Sequence, residues 1–60
     1  MAEVNRTHIG KGVGFKEDYE QYGTLKDING KWATVEVYDS NEGTTYNKQV
    51  WLNSLWLNEQ

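Results

Sequence analysis

The sequence contains no cysteine and only one histidine, His8. Without thiols the chain can form neither disulfides nor thiolate zinc sites, and we therefore expect a reducing, cytoplasmic setting. The two serines, Ser40 and Ser54, lie in predicted turns, and no second histidine is present to serve as a general base. These absences argue against nucleophilic catalysis and against a metal site. We predict a protein without catalytic residues or cofactors.

Long hydrophobic runs and an excess of basic residues are also missing. No apolar stretch is long enough for a membrane span or for the core of a signal peptide, and we expect no membrane association. Acidic residues outnumber Lys and Arg by 9 to 6, giving a formal net charge of −3. That balance argues against generic attraction to nucleic acid, although it permits a local basic patch. At 60 residues, the chain is long enough for one small domain.

The strongest local signal lies between residues 22 and 39. Two runs rich in β-branched and aromatic residues flank the dipeptide Asn29-Gly30. An Asn-Gly pair in this position is typical of a two-residue β-hairpin with a type I′ turn, which needs positive φ at both central residues. That turn places Ile28 opposite Lys31. The sequence therefore predicts a hairpin with Asn29-Gly30 at its tip.

The hydrophobic alternation in this hairpin predicts both its faces and an irregularity. Three residues should face the core, and the residues between them should face outward: Ala33, Val35 and Val37 inward; Trp32, Thr34, Glu36 and Tyr38 outward. Counting back from the turn without interruption would point Leu25 outward. One extra residue at Lys26-Asp27, opposite Trp32, returns Leu25 to the core beside Ala33 and sets Gly23 against Val35. We therefore predict a β-bulge there.

The remaining segments predict a flexible arm and three more strands. Residues 1 to 11 are polar and are predicted to form the arm, and the domain spans residues 12 to 58. Val13 and Phe15 should face inward from a first strand, and residues 17 to 21 should form an acidic loop. A turn at residues 39 to 43 leads to a polar strand, then to one 3₁₀ turn and a short last strand. The predicted core comprises Val13, Phe15, Leu25, Ile28, Ala33, Val35, Val37, Val50, Leu52, Leu55 and Leu57.

This arrangement resembles the SH3-like barrel over residues 12 to 58. The shared features are five short strands, a long loop after the first, a tight central hairpin and a 3₁₀ turn before the last strand. The run from Gly23 to Ile28 is similar to KOW and Tudor-like motifs, in which a glycine precedes a spaced pair of aliphatic residues. The resemblance implies an all-β fold, a single SH3-like five-stranded barrel. True SH3 domains carry a groove proline and a Trp-Trp pair, which this chain lacks, and we do not expect a receptor for proline-rich peptides.

A second resemblance implies an enzyme. Type II dihydrofolate reductases of plasmids are also small SH3-like barrels, and they work as tetramers around a central pore lined by a Val-Gln-Ile-Tyr motif. The comparable run here is Lys48-Gln49-Val50-Trp51. Only Gln49 is identical, Val50 is conservative, and Trp51 replaces the tyrosine. A tryptophan repeated four times would crowd such a pore. A reductase-like tetrameric enzyme is the alternative to a binding function.

The aromatic residues carry the main functional prediction. The predicted aliphatic core leaves several rings outside, and we predict one partner-binding patch with an acidic rim: the rings are Tyr19, Tyr22, Trp32 and Tyr38, and the rim is Glu17, Asp18 and Glu20. The competing interpretation is that the rings cover the open ends of the barrel. We expect a non-catalytic, phage-like regulatory protein, a monomer or weak homo-oligomer, that docks a protein of the transcription or translation machinery. A KOW-like module that binds nucleic acid is the alternative within this class.

Overall fold

The computed structural model describes residues 4 to 58 and places most of them in one five-stranded antiparallel sheet. The elements in chain order are η1 (Arg6–His8), β1 (Gly12–Phe15), β2 (Asp18–Asn29), β3 (Trp32–Asp39), β4 (Thr44–Trp51), η2 (Leu52–Ser54) and β5 (Leu55–Leu57), where η denotes a 3₁₀ turn. The strand order across the sheet is β4-β3-β2-β1-β5. The predicted all-β class and the 3₁₀ turn before the last strand are confirmed.

The strand ladder of this sheet does not close into a barrel. Among the described residues, β4 pairs only with β3, and β5 pairs only with β1. The short connection η2 links these two edge strands at one end. There the Leu52 amide donates to the Lys31 carbonyl at 2.8 Å, and the Lys16 amide donates to the Ser54 carbonyl, also at 2.8 Å. The fold is therefore an open sheet whose edges meet at η2.

One face of the sheet, called the inner face below, carries the hydrophobic core. The buried residues are Val4, Val13, Phe15, Leu25, Ile28, Ala33, Val35, Val37 and Leu55, with Val50, Leu52 and Leu57 packed against them. All eleven predicted core residues are in this cluster, and Val4 is an addition from the N-terminal segment. Full burial of a Val or Leu side chain contributes about 1.5–3 kcal/mol. These contacts are the main source of stability, because the chain has no disulfide.

The central hairpin is present, but its turn lies one residue further along than predicted. Asn29 pairs with Trp32, so the loop residues are Gly30 and Lys31. Gly30 has φ of 62°, whereas neither Asn29 nor Lys31 has a positive φ. A positive φ at the first central residue alone is the pattern of a type II′ turn. The predicted type I′ turn is therefore wrong, since a type II′ turn needs one glycine and avoids forcing a second residue into the left-handed region.

The predicted bulge is confirmed, with a different set of opposing residues. The register shifts between Leu25 and Asp27, which makes Lys26 the extra residue. Leu25 lies opposite Val35 rather than Ala33, and Gly23 lies opposite Val37 rather than Val35. Because the turn moves by one residue, each β2 residue faces a β3 residue two positions further along than predicted. Side chains alternate with a period of two, so every side chain keeps its predicted face. Leu25 is accordingly 0% exposed.

Replacement of Gly30 by valine tests the turn. A Cβ at this position would meet nothing within 4 Å, so only the backbone conformation resists substitution. We expect Gly30→Val to lower the free energy of unfolding by about 1–2 kcal/mol, the cost of a left-handed conformation. Urea unfolding monitored by circular dichroism measures it. A synthetic chain with D-alanine here should match the parent, and an equal loss for both chains would contradict the turn assignment.

The acidic stretch after β1 is a strand rather than the predicted loop. A tight turn at Lys16 and Glu17 joins β1 to β2, and Phe15 pairs with Asp18. The register then slips, since Gly14 pairs with Tyr22, and residues 19 to 21 have no partner on β1. Asp18 stabilises the slip, because its Oδ1 accepts a hydrogen bond from the Glu20 amide at 3.1 Å. Pairing with β1 thus overrides the low strand propensity of Asp18, whereas Glu20 lies in the unpaired part of the slip.

The described part of the N-terminal segment contacts the sheet. Asn5 caps η1, with its side chain accepting from the Thr7 amide, and Val4 is only 6% exposed. The Gly10 amide donates to the Leu25 carbonyl at 2.7 Å, and the Leu25 amide donates to the Lys11 carbonyl at 3.0 Å. Residues 1 to 3 of the predicted arm lie outside the described residues, and the flexibility of the arm stays a prediction. These two hydrogen bonds attach residues 10 and 11 to β2 just before β1 begins.

Candidate binding surface

Two tryptophans from neighbouring strands form a stacked pair on the outer face of the sheet, the face opposite the core. Trp32, the first residue of β3, lies opposite Trp51, the last residue of β4. Their ring centroids are 4.1 Å apart with an interplanar angle of 22°. The two side chains, called the tryptophan pair below, remain 43% and 51% exposed. A stacked pair with this much exposed apolar surface is a candidate for contact with another molecule.

The turn between β3 and β4 sets the register that brings the pair together. The Asp39 carboxylate accepts from the Asn41 amide at 2.9 Å and from the Glu42 amide at 3.3 Å. The Gly43 amide donates to the Asp39 carbonyl at 2.8 Å, and Gly43 has φ of 70°. The predicted turn at residues 39 to 43 is therefore confirmed. It fixes Asp39 opposite Thr44, and the ladder then runs without a break to the tryptophan pair.

Two depressions border the tryptophan pair. One of about 250 Å³ is lined by Phe15, Glu17, Trp32, Lys48, Gln49, Val50, Trp51 and Ser54. Another, of about 330 Å³, is lined by Gly30, Lys31, Trp51, Leu52 and Asn53. Trp51 belongs to both linings. The backbone hydrogen bonds of η2 to Lys31 and Lys16 hold these walls together, so the depressions lie on an ordered end of the molecule.

Charges of both signs line the first depression. Glu17 lies in the turn after β1, and Lys48 projects from the middle of β4. The Lys48 ammonium lies 5.2 Å from the centroid of the Phe15 ring, within the range of a cation–π contact. The aliphatic stem of a lysine in this position can cover apolar surface while its charge stays in water. The surface around the tryptophan pair therefore offers apolar area with one acidic and one basic group at its margin.

The residues predicted as one patch are divided between the two ends of the outer face. Trp32 and Glu17 line the first depression. Tyr38 is 62% exposed and lies at the other end of β3, roughly 20 Å from Trp32 along the strand. Tyr22 is 51% exposed and lies at the Tyr38 end of the sheet, because the adjacent residues Gly23 and Val37 are paired. The structure thus places Tyr22 and Tyr38 at the same end of the sheet, away from Trp32.

The other predicted rim residues lie on the irregular first part of β2. Asp18 and Glu20 are exposed there, and the ring between them, Tyr19, is 75% exposed. Neither carboxylate belongs to the lining of the depressions beside the tryptophan pair. Of the predicted acidic rim, only Glu17 borders the tryptophan pair. A role for the other two in partner binding stays a prediction.

Sequence reasoning missed Trp51 and Trp56, which both contact predicted site residues. Trp56 lies opposite Gly14 on β1 and makes an edge-to-face contact with Tyr22, with centroids 6.2 Å apart at 75°. A side chain at Gly14 would clash, since its Cβ would lie 2.5 Å from the Trp56 ring. The Trp56 indole nitrogen is buried and has no hydrogen-bond acceptor among the described residues. Glycines spaced by two in the first strand were the available signal, because they leave one face of β1 open to a ring.

Comparisons with protein-family models, with curated proteins and with solved structures found no match to this chain. Residues 4 to 58 contain no group of three or more histidine, aspartate or glutamate side chains placed to hold a metal ion. Within the same range, no helix is long and apolar enough to cross a membrane. The surface geometry is therefore the basis for a functional proposal.

Proposed function

We propose that this chain is a non-catalytic binding protein that docks a protein partner through the tryptophan pair and the depressions beside it. The observation that carries the proposal is the half-exposed stack of Trp32 on Trp51. The core is complete without these rings, and both project from regular strands that fix their position. Rigid tryptophans beside pockets are typical of the residues that dominate protein interfaces.

The charge distribution favours a protein over a nucleic acid as the partner. The chain has a formal net charge of −3, and Glu17 lies at the margin of the surface. A nucleic acid would meet this carboxylate with its own phosphates, whereas a protein can place a basic side chain there. Lys31 and Lys48 lie at the same end, and exposed rings can stack on bases. Nucleic acid is therefore the alternative that the experiment must separate.

We also propose that the five-stranded sheet is an SH3-like barrel. The five short strands, the tight central hairpin and the 3₁₀ turn η2 support an SH3-like barrel. The tight turn after β1 departs from the long loop of that family resemblance. In this assignment the open gap between β4 and β5 is the place where the barrel remains unclosed.

Alanine substitution of the tryptophan pair tests the proposed function. The immobilised chain is used to capture proteins from an extract of the source cell, and the purified candidate is then titrated against each variant. We expect Trp32→Ala and Trp51→Ala each to weaken binding by at least about 30-fold, as for interface hot spots. Tyr38→Ala is the matched control, an exposed ring at the other end of β3, and it should bind like the parent. Equal loss in Tyr38→Ala would contradict docking at the tryptophan pair.

Reversal of one acidic residue separates the two partner classes. With a protein partner that presents a basic group, Glu17→Lys should slow association, most strongly at low salt. With nucleic acid, the same change should tighten binding to a single-stranded DNA or RNA oligomer, because phosphate repulsion is relieved. Thermal melting of each variant shows whether the fold is intact. Tighter oligomer binding at physiological salt, with no specific protein recovered, would overturn the docking of a protein partner.

A further inference from the structure

The edge strand β4 presents a long, open hydrogen-bonding edge. It pairs with β3 from Thr44 to Trp51, and no described strand pairs with its other side. Every residue of β4 except Val50 is exposed. A long exposed edge of this kind is a template for another strand. We propose that two copies of this chain associate through β4, antiparallel, about a two-fold axis at Asn47.

The alternation of side chains and one charge select this register. In an antiparallel pair, residues directly opposite each other point to the same face of the sheet, so each outer residue of one copy must face an outer residue of the other. A two-fold axis satisfies this condition only when it passes through a residue, not between two residues. The longest ladders within β4 are centred on Asn47 or on Lys48. A centre at Lys48 sets two ammonium groups directly opposite each other, which is destabilising. The centre at Asn47 avoids this contact.

The favoured register is chemically self-complementary. On the inner face, Lys48 of each copy lies opposite Tyr46 of the other, where an ammonium group and an aromatic ring attract each other. On the outer face, the two Asn47 amides meet on the axis, and each can donate to and accept from the other. Thr45 then lies opposite Gln49, a polar pair that can also form hydrogen bonds. Lys48 is the only charged residue of β4, so no like charges oppose each other within the ladder.

The dimer leaves the tryptophan pair accessible. The ladder joins residues 44 to 50 of the two copies, and Trp51 lies just beyond its end. The two-fold axis is perpendicular to the sheet, so both tryptophan pairs lie on the same outer face. Their separation along the strand direction is roughly 27 Å for eight residue positions. The second copy would border the first depression, which is lined in part by Lys48, Gln49 and Val50, whereas the tryptophan pair and the second depression lie outside the ladder. The pairing of β4 does not depend on the proposed function.

Cysteine cross-linking tests the axis directly, because the natural chain has no cysteine. Facing residues on the axis have Cβ atoms about 4.5–5.5 Å apart, close enough for a disulfide after a small adjustment. We expect Asn47→Cys to form a covalent dimer rapidly under mild oxidation, seen on a non-reducing gel. Thr45→Cys is the matched control on the same face, and its two copies lie roughly 13 Å apart along the ladder. Cross-linking at the same rate in both variants would indicate random collision and overturn the proposal.

A charge swap at the same position provides the second test. Asn47→Asp and Asn47→Lys should each weaken self-association by at least about fivefold, because like charges then face each other on the axis. An equimolar mixture of these variants should form a heterodimer. Asn41→Asp, in the turn before β4, carries the same charge change away from the edge and should behave like the parent.

Sedimentation equilibrium over a concentration series measures these masses. Thermal melting monitors the fold, since Asn47 lies opposite Glu36 on β3 and the aspartate variant adds a repulsive contact there. A parent chain that stays monomeric at its highest soluble concentration would overturn the proposal. An oligomer that is insensitive to all changes at position 47 would do the same.

Discussion

Leu25→Ala is expected to lower the free energy of unfolding by about 2–5 kcal/mol, the range for a fully buried leucine. Leu25 is 0% exposed and lies opposite Val35 in the centre of the inner face. Truncation removes contacts and leaves a cavity that the surrounding strands can fill only in part. For a small domain this loss is a large fraction of the total stability. Urea unfolding at constant pH, with the m-value compared between variants, measures it.

A leucine at the margin of the core provides the comparison. Leu57 is only partly buried and packs against the cluster from β5. Leu57→Ala should therefore cost less than Leu25→Ala, because part of its side chain is already in water. If Leu57→Ala proved the more costly, or if Leu25→Ala cost less than about 1 kcal/mol, Leu25 would not be the centre of the core and the bulge at Lys26 would be misplaced.

The sequence specifies the faces of the central hairpin better than it specifies the turn. Val35 and Val37 define an inner face by their alternation, and the need to bury Leu25 requires one extra residue in β2. A two-residue turn can use either Asn29 and Gly30 or Gly30 and Lys31 as its loop residues. The two choices shift the residue opposite each β2 position by two. Because the side-chain period is also two, the hydrophobic pattern is the same for both choices. Only the backbone preference of the turn residues separates them.

The tryptophan pair shows a different limit. The alternation of apolar and polar residues in β3 predicts the outward direction of Trp32. Its stacking partner Trp51 lies in a stretch without alternation, at the junction of a strand and a 3₁₀ turn. Their contact depends on the register between β3 and β4, which the hydrogen bonds of Asp39 and the positive φ of Gly43 fix at the far end of the ladder. A contact set by a distant turn leaves no local pattern in the sequence.

The predicted acidic loop after β1 is wrong, because strand propensity is a weak guide where pairing between strands decides. Glu17, Asp18 and Glu20 are typical of loops, and the predicted patch required such a loop to fold over the sheet. The structure instead uses Asp18 as a strand residue opposite Phe15. Tyr19 and Tyr22 therefore belong to β2 and do not lie on a loop that folds over the sheet. For this reason Tyr22 contacts Trp56 rather than Trp32.

Gly23→Ala and Gly12→Ala should change stability in opposite directions. A Cβ at Gly23 would lie 2.4 Å from Val35 Cγ1 and 2.7 Å from the Glu36 carbonyl oxygen, and the carbonyl belongs to the paired backbone of β3. A backbone atom in a ladder cannot move without breaking the pairing, so the strands must separate. We expect Gly23→Ala to lower the free energy of unfolding by about 1–3 kcal/mol or more, as for an overpacked core.

Gly12 provides the matched control in β1, because its Cβ would lie no closer than 3.9 Å to any other group and its φ is not positive. Alanine there reduces the conformational freedom of the unfolded chain, and Gly12→Ala should raise the free energy of unfolding by about 0.4–1 kcal/mol. Parallel urea titrations of the parent and the two variants give both signs in one experiment. Similar small effects for both substitutions would mean that β2 and β3 are not in close contact at Gly23. The pairing of Gly23 with Val37, and with it the register that places Tyr22 at the Tyr38 end of the sheet, would then be wrong.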